Sequence, residues 1–142
     1  MPEPRIDMVG TALSSTERLL VTLVTGSPTA SRESALAAVV AAGQDRPARI
    51  ALILEGLPDG SQQTLLDPAL NPAILQAARI APGCFCCIGN MTMRVTLNRI
   101  LRQRPSRLYI SLATVSHLDA IRALMTQAPY DNLLTLTDEL RV

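Results

Sequence analysis

Two spacings of apolar residues alternate along the chain. Leu19–Thr25 (LLVTLVT) is a short, nearly unbroken apolar run rich in β-branched side chains, the pattern of a strand covered on both faces. Similar runs return at 49–55 (RIALILE), 107–113 (RLYISLA) and 132–137 (NLLTLT). Between them the period lengthens to that of a helix. Leu36, Val39 and Val40 make an apolar stripe in a helix expected over 31–42, with Ser31 as its cap, Glu33 near the positive N-terminal end and Gly43 as its stop. Met93, Leu97, Ile100 and Leu101 fall on one side of a helix over 90–103. Leu118, Ile121, Leu124 and Met125 do the same over 116–127, behind a capping box at Ser116 and Asp119. The middle of the chain is weaker in pattern: 61–71 reads as loop, 72–79 as a short helix with Pro72 in its first turn, and 80–82 as a brief strand.

Strands that alternate with helices predict βαβ units: a three-layer α/β/α fold with a mostly parallel sheet. In such sheets, sites form in the loops beyond the carboxyl ends of the strands. Three segments with candidate chemistry fall there, at 26–34, 55–60 and 83–87.

Composition narrows the picture. With 142 residues there is room for one compact domain, expected over 18–142, behind a polar arm at 1–17 that does not resemble a signal peptide. Hydrophobic residues are 48% of the chain and charged residues 18%, enough for a buried core and against disorder. Aromatics are 2% and the net charge is +1, which argues against nucleic acid as a partner. No apolar run approaches the ~18 residues that span a bilayer, so no membrane partner is expected and the chain reads as cytoplasmic. All 13 basic residues are arginine; lysine is absent.

The segment around Gly26 has the layout of a phosphate-binding loop, a buried strand followed by a glycine and an opening helix. The working pattern is G-x-x-x-x-G-K-[ST]. Aligned on Gly26, the second glycine is Ser31, the lysine is Arg32 and the Mg²⁺-binding hydroxyl is Glu33. A serine at position 31 is expected to be strained if the loop needs a left-handed backbone there. Arg32 keeps the charge but is a planar fork in place of a compact ammonium. Glu33 would repel phosphate, and Ser34 comes one position late. Weak phosphate binding by Arg32 and the helix N-terminus, and an ordinary strand-to-helix turn, are both open readings.

Cys84, Cys86 and Cys87 lie within four positions, between Gly83 and Gly89. Three thiolates at this spacing suit one soft ion such as zinc and are a poor disulfide framework. Inert burial and redox chemistry are the alternatives. His117, the sole histidine, is a weak candidate for a fourth ligand. Glu55 and Asp59 put two carboxylates on a turn after a strand, able to hold metal, orient water or face solvent. Arg94, Arg99, Arg102, Arg104 and Arg107 form the one basic cluster, read as a solvated face. No catalytic residue is assigned.

Taken in order, VTLVTGSPTASRES, ILEGLPDG, GCFCC, RLYISLA and LLTLTDE resemble the CobW branch of the CobW/HypB/UreG GTPases, over roughly 19–139. The specific element is the Gly-Cys-x-Cys-Cys run. The resemblance implies a P-loop NTPase-like domain and a metallochaperone role. It assigns zinc or a similar ion to Cys84, Cys86 and Cys87, and phosphate and Mg²⁺ positions to Gly26, Ser31, Arg32, Glu33 and Ser34. Glu55 and Asp59 fall in its switch-like region. The departures are the altered loop, Ser111-Leu112-Ala113-Thr114 where the family has an acidic residue and a glycine, and no N-K-x-D for guanine. The resemblance therefore implies a shortened, nucleotide-degenerate relative that keeps soft-metal binding and works with a metal-accepting or accessory protein. Two alternatives stand beside it: an active GTP- and Mg²⁺-binding enzyme with an atypical loop, and a non-catalytic interaction module that self-associates through a sheet edge or an apolar patch.

Overall fold

The computed structural model describes residues 18–26, 28–43, 49–56, 66–80, 91–113 and 118–142. In chain order the elements are β1 (Leu19–Thr25), α1 (Thr29–Ala42), β2 (Ile50–Glu55), β3 (Ile74–Ile80), α2 (Met91–Gln103), β4 (Arg107–Leu112), α3 (Leu118–Met125), a 3₁₀ turn at Tyr130–Asn132, β5 (Leu134–Leu136) and β6 (Leu140–Arg141). The strands form one sheet in the order β3-β2-β4-β1-β5, with β6 also on β1, and every pairing among them is parallel.

The period-two alternation of the strands sorts the core into two layers. Leu19, Val21 and Leu23 of β1, Ala51 and Ile53 of β2, and Leu108, Ile110 and Leu112 of β4 meet α2 and α3 on one face. Val24, Ile50, Leu52, Leu54 and Tyr109 meet Leu36, Ala37 and Val40 of α1 on the other. This is the three-layer α/β/α arrangement of a P-loop-like fold. No described helix is long and apolar enough to cross a membrane.

The strong patterns land where they point: β1, β2 and β4 are nearly fully buried, and Met93, Leu97 and Ile100 face inward from α2. Three expectations are corrected. The segment 72–79 is not a helix; Ile74–Ile80 is a strand, parallel to β2. Leu75, Gln76, Ala77, Ala78 and Arg79 suit a helix intrinsically, and the ladder to β2 outweighs that preference. Second, α1 begins at Thr29, with Pro28 in extended conformation before it and no side-chain cap, so Ser31 lies inside the helix and does not cap it. Third, Ser31 is unstrained: among described non-glycine residues only Arg104, at φ 55°, has a positive φ. Pro28, with its fixed φ and missing N–H, is suited to starting a helix early and shortens the loop. Arg104 ends α2, where Arg49 donates from Nη2 to the Gln103 carbonyl at 2.7 Å. The arm at 1–17 and the capping residue Ser116 lie outside the described residues.

Ile110 sits at the centre of the sheet in register with Leu23 and Ile53, and is 0% exposed. Ile110→Ala should cost about 2–5 kcal/mol. Leu70→Ala, at a position 61% exposed, should cost under about 0.5 kcal/mol. Urea unfolding of both variants checks the contrast.

Candidate functional site

β2, β4 and β1 are neighbours, so their carboxyl ends come together. The side chain that occupies this junction is Arg32, which projects from the first turns of α1 and is 1% exposed. Its Nη1 donates to the Gly26 carbonyl at 2.7 Å, at the end of β1. Its Nη2 donates to the Glu55 carbonyl at 2.6 Å, at the end of β2, and to Thr29 Oγ1 at 3.2 Å. Its Nε donates to Ser111 Oγ at 2.6 Å, on β4. One planar fork thus ties three strand ends to α1. Burial lowers the Arg32 pKa, while the nearby Glu55 and Glu33 carboxylates act to raise it.

Those carboxylates are engaged as well. Glu55 is fully buried, and its Oε1 accepts the Ala113 N–H at 2.7 Å. Glu33 receives Arg79 Nη1 and Nη2 at 2.7 and 3.1 Å, the bidentate form of an ion pair. Arg79 also reaches the Gly56 carbonyl at 3.1 Å. Two guanidinium and two carboxylate groups therefore form a charge-balanced network across the carboxyl edge. Beside Glu33 and Arg79, a groove of about 170 Å³ is lined by Leu54, Leu66, Asp67 and Ala77, below the ~300–1,000 Å³ usual for a ligand pocket.

Glycine is required at two corners. Gly26 has φ 122°, and a Cβ there would lie 2.5 Å from the Val142 carbonyl oxygen. Gly56 has φ 124°, and a Cβ would lie 2.5 Å from Thr29 Oγ1. On the far side of β1, Thr25 donates from Oγ1 to Glu139 Oε2 at 2.6 Å. Arg122 and Arg141 pair with the same carboxylate at 2.8 and 3.3 Å. The Thr25 hydrogen bond foremost, helped by these two arginines, holds the Glu139 pKa below its ordinary value.

Of the residues singled out in the sequence, Gly26, Arg32, Glu33 and Glu55 are brought together, whereas Ser31 and Ser34 are exposed on α1, away from the network. Asp59, Cys84, Cys86, Cys87 and His117 lie outside the described residues, and among those described no cluster of three metal-ligating side chains occurs. Sequence reasoning missed Arg79, hidden by the helical reading of its segment. It named Ser111 only as a departure from the family pattern and passed over Glu139, which carries no local signal.

The fold and this junction define a class, a parallel α/β/α domain of P-loop-like form with a strand–glycine–helix corner. Within the proteins of known function, the chain is 38% identical over 58 residues to the zinc chaperone YeiR of Escherichia coli (strain K12). That match takes in 40% of this chain and 18% of YeiR, so the chain spans under a fifth of that relative's length. No family profile matches the chain, and no solved structure matches it.

Arg32→Ala removes the fork and leaves buried acceptors and the Glu55 charge behind, and should cost about 3–5 kcal/mol in urea unfolding. Arg32→Lys should cost less, since an ammonium keeps the charge but cannot span three strands. Glu139, with its folded pKa depressed, adds stability that is fully present at neutral pH and is lost as pH falls through its folded value. Glu139→Gln should therefore be less stable than the parent at pH 7, with the gap closing in acid, as read from unfolding curves across pH.

Proposed function

We propose that this chain is a metal-binding accessory protein on a P-loop-like scaffold that has lost GTP hydrolysis. In this reading Cys84, Cys86 and Cys87 hold zinc or another soft divalent ion as cargo, and an accepting protein takes it. The working unit is 18–142, acting in the reducing cytoplasm. The observation that carries the metal reading is the Gly83-Cys84-Phe85-Cys86-Cys87 run in a chain that shares 38% identity over 58 residues with a zinc chaperone. The donor set fits: three thiolates satisfy most of a tetrahedral zinc shell and leave one position from which the ion can be handed on.

The loss of nucleotide chemistry rests on the junction at the carboxyl edge. A working phosphate loop presents backbone N–H groups and a free cation to the anion. Here the Gly26 carbonyl accepts from Arg32, and Arg32 is committed to that carbonyl, Glu55, Thr29 and Ser111. Glu33, at the position of the Mg²⁺-binding hydroxyl, is paired with Arg79. These residues do not fit a magnesium-bound phosphate.

Metal content tests the reading. Protein purified anaerobically without a histidine tag should carry about one equivalent of zinc, lost in Cys84→Ser/Cys86→Ser/Cys87→Ser. No metal as isolated and no uptake of added zinc would sink the carrier role. In parallel, Mg²⁺ with GTP or ATP at millimolar concentration should leave the thermal midpoint unchanged, and a clear upward shift would restore the nucleotide-enzyme reading.

A further inference from the structure

The outward face of α2 carries a docking pattern in which, among the described residues, only Asn98 is engaged within the chain, its Oδ1 accepting the Tyr130 hydroxyl at 2.8 Å. Its buried face is Met93, Thr96, Leu97 and Ile100. Opposite them, Met91, Val95, Asn98 and Arg102 stand at i, i+4, i+7 and i+11, the 4-3-4 spacing of a helix–helix seam about 16 Å long. Met91 and Val95 are 61% and 52% exposed and lie one turn apart on the helix, so they are neighbours on its surface. Arg94 and Arg99 flank the seam, one on each side, and both are exposed. No acidic residue occurs from 91 to 107, and no ion pair engages Arg94, Arg99 or Arg102 among the described residues.

We propose that this face binds an acidic amphipathic helix of a partner protein, its apolar stripe laid on Met91 and Val95 and its carboxylates set against Arg94, Arg99 and Arg102. Charge complementarity selects this occupant. A second copy of α2 would set arginine against arginine. Nucleic acid is disfavoured because the face has no aromatic ring for base stacking, and a bilayer because two apolar side chains offer too little area. The face begins four residues after Cys87 in the chain, which suits the seat of a metal acceptor; that assignment rests on the metal-carrier reading, whereas the docking itself does not.

The test uses the full chain and a fluorescent synthetic helix with a leucine seam and glutamate flanks. A lysine-flanked twin, polyuridylate and phosphatidylserine vesicles serve as competing probes. The glutamate peptide should bind, more weakly at high salt. Arg94→Glu/Arg99→Glu/Arg102→Glu should weaken it by about tenfold or more, since three exposed pairs become repulsive. Met91→Ser/Val95→Ser should weaken it with unchanged circular dichroism. Equal binding of both peptides, preference for RNA or vesicles, or indifference to charge reversal would overturn the proposal. Repeating the titration with Cys84→Ser/Cys86→Ser/Cys87→Ser separates the two ideas. Peptide bound by the parent and the variant alike, with no zinc found in the parent, would defeat only the carrier role; zinc held by the parent without peptide binding would defeat only the docking face.

Discussion

A guanidinium group with almost no access to water sits where three parallel strands end. Removing such a charge from solvent is costly, and the fold offsets it with hydrogen bonds to Gly26, Glu55, Thr29 and Ser111 and with the fields of two carboxylates. Most of the architecture near the carboxyl edge follows from that arrangement. The end of β1 must turn its carbonyl inward, α1 must start early enough to aim position 32 at the sheet, and β4 must present a small hydroxyl at position 111. Glu33 and Glu55 balance the charge, and Arg79 balances Glu33 in turn. A parallel sheet gathers loops at one edge and commonly leaves them for a ligand; here the side chains of the chain itself fill that place.

The inner strands and the two best helices were legible because burial on defined faces writes itself into apolar periodicity. β1, β2 and β4 are covered on both sides, so their runs are continuous, and α2 and α3 bury one stripe each. β3 was not legible. It is an edge strand, half-buried between Ile74 and Ile80, so no alternation marks it. Its residues favour a helix when taken alone, and only the ladder to β2 decides otherwise. β6 escaped notice for a related reason: two residues on one partner strand leave no period to read.

The candidate site was legible in its parts and not in its wiring. The mismatch with a phosphate loop at Ser31, Arg32 and Glu33 can be seen by aligning the chain on Gly26. That Arg32 turns inward to bridge strands 23 and 79 residues away cannot be, because its acceptors are two backbone carbonyls and two hydroxyls that any sequence could supply. Ser31 illustrates the converse: it was expected to be strained, and the early helix start at Thr29 removes the strain by taking it out of the loop.

The two sides of β1 are held unequally. Toward β4 it has an uninterrupted ladder of six paired positions, from Leu20 to Thr25. Toward the other edge it meets three residues of β5 and two of β6, with Thr137–Glu139 passing between. Segments with short ladders open first and as units. Fluctuation of 134–142 would lift Val142 from beside Gly26 and part Thr25 from Glu139, while β2, β4 and the arginine fork stay in place. Amide hydrogens along this sheet would then exchange at two rates, slow across the inner strands and fast along the outer margin. The corner at Gly26 would breathe with the margin, although one side of it is pinned to the most protected part of the molecule.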